Sequence, residues 1–187
     1  MNFKEFWSRY KGEIGKLLTT RIALAVFSIV CISPLLVMDM QNNASTVNTI
    51  LILASIAVFA FYYFLIHSQL WNVGAKNKIS ADGGRMKLNP LAGLYMGLLA
   101  SVPSFILNIL NIVTYFYKDY AGYKSVHQIS AILEVIWDAP AVGIVTALGG
   151  SPFGYLAASI LPALFAGIAY FLGTKEIKFF SSGKKQN

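Results

Sequence analysis

The residues with the greatest chemical reach are Glu134 and Asp138, four positions apart, with His127 two turns before Glu134. On a helix these three share a face with Ser130, within about 80° of arc, so the two carboxylates could hold one cation between them. Like charges at that spacing repel mildly unless something neutralises them, and the same pattern describes a polar helix face turned to water. A second polar group, Asn108 and Asn111, continues a stripe begun by Gly93, Gly97, Ser101 and Ser104. At about 100° per residue all six project within about 80°, small at one end and polar at the other. Two roles suit such a stripe. Small residues let membrane helices approach, and Ser or Asn can bond across the contact for about 0.6 to 2 kcal/mol each. Alternatively the Asn residues line a path for a polar substrate. His67 stands alone at the end of an apolar run, where packing or solvation explains it as well as chemistry does.

Other chemistries lack material. No HExxH, GxSxG, Walker or CxxC pattern occurs, and the single Cys31 excludes an internal disulfide framework or a multi-thiolate metal site. The expectation is a protein that is not an enzyme and has no cofactor and no metal centre. Gly74, Gly83 and Gly84 beside Lys76, Lys78 and Arg85 invite a phosphate-cradle interpretation. That interpretation fails, because no Lys-Ser/Thr pair and no preceding strand accompanies them.

The elements that must position these residues are those of a membrane protein. Of 187 residues, 56% are hydrophobic and only 12% charged, and the apolar residues gather into blocks of bilayer length. The spacing predicts an all-α integral membrane protein with about four transmembrane helices. Residues 1–20 form an amphipathic interfacial helix, with Phe3, Phe6, Trp7, Tyr10, Ile14, Leu17 and Leu18 on one side. Residues 21–187 form a single transmembrane domain. Its spans run from about Ile22 to Met38, Thr49 to Leu70, Leu91 to Tyr117 (with a kink allowed by Pro103) and Phe153 to Leu172. Residues 71–90 are a basic loop, Asn89-Pro90 marks the start of the next helix, and 174–187 are a basic tail. Asn43, Ala44 and Ser45 form a glycosylation pattern of the kind that arises often by chance. In the last span Ser159, Ala163 and Gly167 form a small-xxx-small series able to lie against Gly93, Gly97 and Ser101, or against another copy.

The segment at about 125–152 fits none of the spans. Ser125 and Gln128 suggest a helix start, Pro140 a break, and only eight apolar or small residues lie between Ala141 and Leu148. As a spanning helix it would carry Asp138 near mid-depth at about 2.5 to 3.5 kcal/mol, with Glu134 adding to that. The expectation is an outer amphipathic helix, its polar face solvated, leading into a re-entrant or interfacial segment.

Charge placement sets the orientation. Five basic residues precede the first span, four lie between the second and third and four follow the last, against only Lys118 and Lys124 elsewhere. That distribution places the N- and C-termini and the 71–90 loop in the cytoplasm of a cell, in all expectation bacterial, with the chain in the cell membrane. Anionic lipid headgroups are the expected electrostatic partner, nucleic acid is not a partner, and a homo-oligomer or another membrane subunit is expected beside the chain. Two functions compete: a non-catalytic subunit or accessory component of a membrane complex, and a small-solute or ion transporter or channel component acting as an oligomer. In the second, substrate or cation contact falls to His127, Glu134, Asp138, Asn108 and Asn111. In either, Gly93, Gly97, Ser101, Ser104, Ser159, Ala163 and Gly167 pack helices.

Overall fold

A computed structural model describes residues 2–39, 44–120 and 122–177. Asn43 of the glycosylation pattern and most of the basic tail lie outside the described residues. Within them the chain is all-helical, without strands. In order come α1 (Phe3–Asp39), α2 (Ala44–Asp82), α3 (Ala92–Ala100), α4 (Val102–Phe116), α5 (Tyr123–Trp137), α6 (Val142–Ala147), α7 (Pro152–Ala158) and α8 (Leu161–Thr174). A single 3-10 turn, Ala139–Ala141, joins α5 to α6. Three helical stretches are long and apolar enough to cross a membrane, and five are if the bent pairs α3–α4 and α5–α6 each count as one.

The first helix corrects the boundary expected at residue 20. Nothing in residues 18–24 breaks a helix, so α1 runs unbroken for 37 residues, about 55 Å. Its N-terminal apolar stripe does not lie free: Phe6, Tyr10, Ile14 and Leu17 are buried in one core with Leu70, Ala92, Met96 and Tyr170. The loop expected at 71–90 is likewise shorter, because α2 continues to Asp82. Gly74 was expected within that loop. Its missing side chain instead lets α8 come close, with Thr174 N 3.0 Å and Gly173 Cα 3.1 Å from where a Cβ would stand.

The third span is bent, as Pro103 allowed: α3 and α4 meet at 51° around Ser101. The last span is also interrupted, at Ser159–Ile160 just before Pro162. Helices α3 and α8 run antiparallel in close contact. A Cβ on Gly97 would lie 2.7 Å from Ala163 Cα, one on Gly93 would meet Tyr170 and Ala166, and Gly167 lies against Leu94. The small-residue seam of the third span is therefore filled by the chain's own α8.

The two ends of the bundle can be told apart by contacts. At one end Phe6 meets Tyr95 with ring centroids 6.2 Å apart, Arg9 reaches Met86 Sδ at 3.3 Å, and Trp71 Nε1 donates to the Ile177 carbonyl at 2.7 Å. Asn77 there donates to the Tyr10 and Tyr170 hydroxyls, each at 2.9 Å. Both described ends of the chain and the 83–91 turn share this end. At the other end Phe116, closing α4, meets Phe153, opening α7, at 6.3 Å.

Everything between those two phenylalanines therefore leaves and returns at the same end. Helix α5 descends beside α4 until Asp138, the chain turns by 84°, and α6 crosses back along α2. Gly143 N donates to Ser55 Oγ at 3.0 Å, and Val145 packs under Gly154. The segment is a hairpin bent by 84° with its tip at Asp138, not a straight rod. Its first helix begins at Tyr123, two residues earlier than Ser125 suggested, without a side-chain cap.

One expectation about this hairpin is reversed. The polar face of α5 was expected in water, but Ser130, Glu134 and Asp138 are buried, at 1%, 1% and 4% exposure, while Ile129 and Ile132 are 60% and 58% exposed. Helix α4 does the same, burying Ser104, Asn108, Asn111 and Thr114 and exposing Ile106, Ile109, Val113 and Phe116. Polar in and apolar out is the arrangement that an apolar solvent selects, since each polar group must then find its partner inside.

Candidate functional site

The two inward faces meet as a ladder. Helices α4 and α5 are antiparallel neighbours, and polar residues recur every three or four positions on each, so a rung forms at each turn. Nearest the Phe116–Phe153 end, Thr114 Oγ1 lies 2.9 Å from Ser130 Oγ and 3.4 Å from His127 Nδ1. Ser130 Oγ donates to Asn111 Oδ1 at 3.4 Å, and Asn111 Nδ2 donates to Glu134 Oε2. One turn deeper, Asn108 Nδ2 donates to Asp138 Oδ2 at 3.0 Å.

Asp138 is where the elements converge. Its Oδ1 accepts from Arg21 Nη2 at 2.7 Å, an ion pair whose side chains are 7% and 5% exposed, and from Ser104 Oγ at 3.4 Å. Its Oδ2 also accepts from Ser159 Oγ at 3.0 Å. Arg21 Nη1 donates to Ser101 Oγ at 2.8 Å, at the bend between α3 and α4. Trp137 Nε1 donates to Ser104 Oγ at 2.6 Å. Helix α1, the α3–α4 bend, the hairpin tip and the α7–α8 break thus close on one carboxylate. The two helix breaks have a common function, since each turns a serine towards the ion pair.

Of the residues singled out in the sequence, the structure brings together Asn108, Asp138, Ser104 and Ser159 in one cluster, and Asn111, Glu134 and His127 in the next. Ser101 joins through Arg21. Gly93, Gly97, Ala163 and Gly167 lie instead in the α3–α8 contact. His67 is buried near the Tyr63 ring, centroids 5.6 Å apart, outside both clusters. The expected placement of Glu134 and Asp138 at an outer mouth is corrected: both are interior, because their own chain supplies their partners.

Arg21 is the functional residue that the sequence reading missed. It closes a run of basic residues and was counted among the cytoplasmic charges, yet it stands at the middle of α1. A signal existed. An acid within an apolar stretch needs a cation, and Arg21 is the basic residue placed closest to the apolar part of the first span.

The cluster is tightly packed. The cavity beside the ion pair, among Arg21, Tyr62, Asp138 and Pro140, amounts to about 10 Å³, the size of a single water at most. Among the described residues no three His, Cys, Asp or Glu side chains gather as a metal site would require. No protein-family model matches the chain, and neither a curated protein nor a solved structure is significantly similar to it.

Proposed function

We propose that this chain is a multi-pass protein of the cell membrane, with both termini on the cytoplasmic side, that works as a component of a small-solute or ion transporter. The observation that carries the reading is the polar ladder of α4 and α5, which ends in two buried carboxylates behind apolar outer faces. Ionisable groups inside a membrane are expensive and mark ion paths or proton relays more often than they serve packing. Basic residues at the end shared by the termini then face anionic lipid, and no residue is assigned a catalytic role.

The test is ion flux driven by a membrane potential in liposomes containing the purified protein, with H⁺, Na⁺ and K⁺ each supplied in turn. Asn111→Leu should lower the flux by about tenfold or more, since it removes the bond to Glu134 at a cost of about 1 to 3 kcal/mol. Flux that is equal in the wild type and the variant would remove the reading.

A specific observation favours the subunit role as the second reading. Between α1 and α2 lies an open groove of about 800 Å³, lined among others by Gly15, Thr19, Ala23, Phe27 and Phe61. Among the described residues, nothing from another helix lies within 4 Å of a Cβ position on Gly12 or Gly15. Native mass analysis after purification in mild detergent separates the readings, because a subunit would carry a stoichiometric second protein or a second copy.

A further inference from the structure

The interior of the bundle holds two carboxylates and one guanidinium. Arg21 is committed to Asp138, whose two oxygens together accept four hydrogen bonds from Arg21, Ser104, Asn108 and Ser159. Glu134, one turn away and 1% exposed, has no cation beside it among the described residues. Its Oε2 accepts from Asn111, but its Oε1 accepts from no described residue, and neither does the equally buried Oδ1 of Asn108 on the facing helix. Both orphans are acceptors. Two acceptors and one uncompensated negative charge call for a positively charged donor.

The smallest such species fits best. The rungs bond one another directly, and the cavity beside the ion pair, lined by neither Glu134 nor Asn108, is at about 10 Å³ itself too small for a hydrated metal cation. A proton needs none. Protonation turns Oε1 into an O–H donor and cancels the charge at the same step. The charged and titratable groups around Glu134 are Asp138 at the end of its own helix, Tyr155 of α7 and Arg21 of α1 beyond Asp138, while α4 offers only amides and hydroxyls. A chain of polar contacts runs from the Glu134 carboxyl towards the Phe116–Phe153 end through Asn111, which bonds Oε2, then Ser130, Thr114 and half-exposed His127.

We propose that Glu134 is a proton-binding site, taking one proton onto Oε1 from the His127 end of the seam, whereas Asp138 stays ion-paired to Arg21 and takes no part in the exchange. The inference rests on the transport reading only for its purpose, since the proton would be the cargo or the coupling ion. The site itself stands on the burial and pairing of the two carboxylates.

Infrared difference spectroscopy tests it, using the full chain in bilayers of phosphatidylethanolamine and phosphatidylglycerol across about pH 4 to 9. A carbonyl-stretch band of a buried protonated carboxyl should appear and vanish with pH, shift when glutamate is ¹³C-labelled, and disappear in Glu134→Gln. That variant can keep the Asn111 bond and supply its own N–H donor, so it should fold and behave at every pH as the protonated state. If the variant fails to fold, the isotope shift in wild type still decides between Glu and Asp. Absence of any pH-dependent buried glutamate band overturns the proposal, as does a band that moves with labelled aspartate or responds to Na⁺ at fixed pH. A glutamate band without ion flux would remove the transport reading and leave the site; flux without the band would do the reverse.

Discussion

Replacing Arg21 by Leu should destabilise the protein by about 3–5 kcal/mol, and Asp138→Leu should cost a similar amount. Each single change leaves a buried charge without its counter-ion: the Asp138 carboxylate with three neutral donors, or the Arg21 guanidinium with Ser101 alone. The double variant removes both charges, and Leu is compatible with the surroundings of Leu24, Phe59 and Tyr62. It should therefore be more stable than the sum of the singles implies, with a coupling of about 2–3 kcal/mol. Equilibrium unfolding in mixed detergent micelles, followed by circular dichroism, measures all four proteins. Additive losses would mean that the pair is not formed as described.

Gly143→Ala should be the most damaging single methyl in the chain. Gly143 lies directly on the Leu51 carbonyl, and a Cβ would also stand 2.6 Å from Ser55 Oγ, which holds the Gly143 N–H. Both obstacles belong to α2, which α8 holds through Phe59, Tyr63 and Gly74, so α6 must lift away and surrender that bond. We expect a loss of about 3 kcal/mol or more, at the upper end of overpacking costs. Gly12→Ala is the control, since open space surrounds it on α1, and it should raise stability by up to about 1 kcal/mol through helix propensity. Thermal unfolding of the two variants in the same detergent should move in opposite directions. A Gly143→Ala protein as stable as wild type would show that the hairpin is not pinned to α2.

Much of this architecture was legible because helical periodicity survives in any solvent. The stripe from Gly93 to Asn111 projects on one face by arithmetic alone, and its change from small to polar anticipates the division between the α8 contact and the ladder. The grouping of Ser130, Glu134 and Asp138 was equally plain. Its direction was not, because a period of 3.6 shows that a helix has two faces without showing which is turned inward. Insertion costs favoured water for that face, and they were taken for an unpaired acid; Arg21 and Ser159, 117 and 21 residues away in sequence, change that sum. Gly74 misled for a related reason. A glycine that admits a neighbouring helix looks in sequence like one that breaks its own.

The central structural claim, that residues 117–152 enter and leave at one end of the bundle, is tested most directly by where their flanks meet water. In a Cys31→Ser background, single cysteines at exposed Ser125 and Ser151 bracket the hairpin, and one at half-exposed Ser80 marks the opposite end. Intact cells treated with a membrane-impermeant maleimide should label positions 125 and 151 alike and spare position 80 until the cells are opened. Labelling of only one of positions 125 and 151 from outside would mean that the segment crosses the membrane, and would contradict the account.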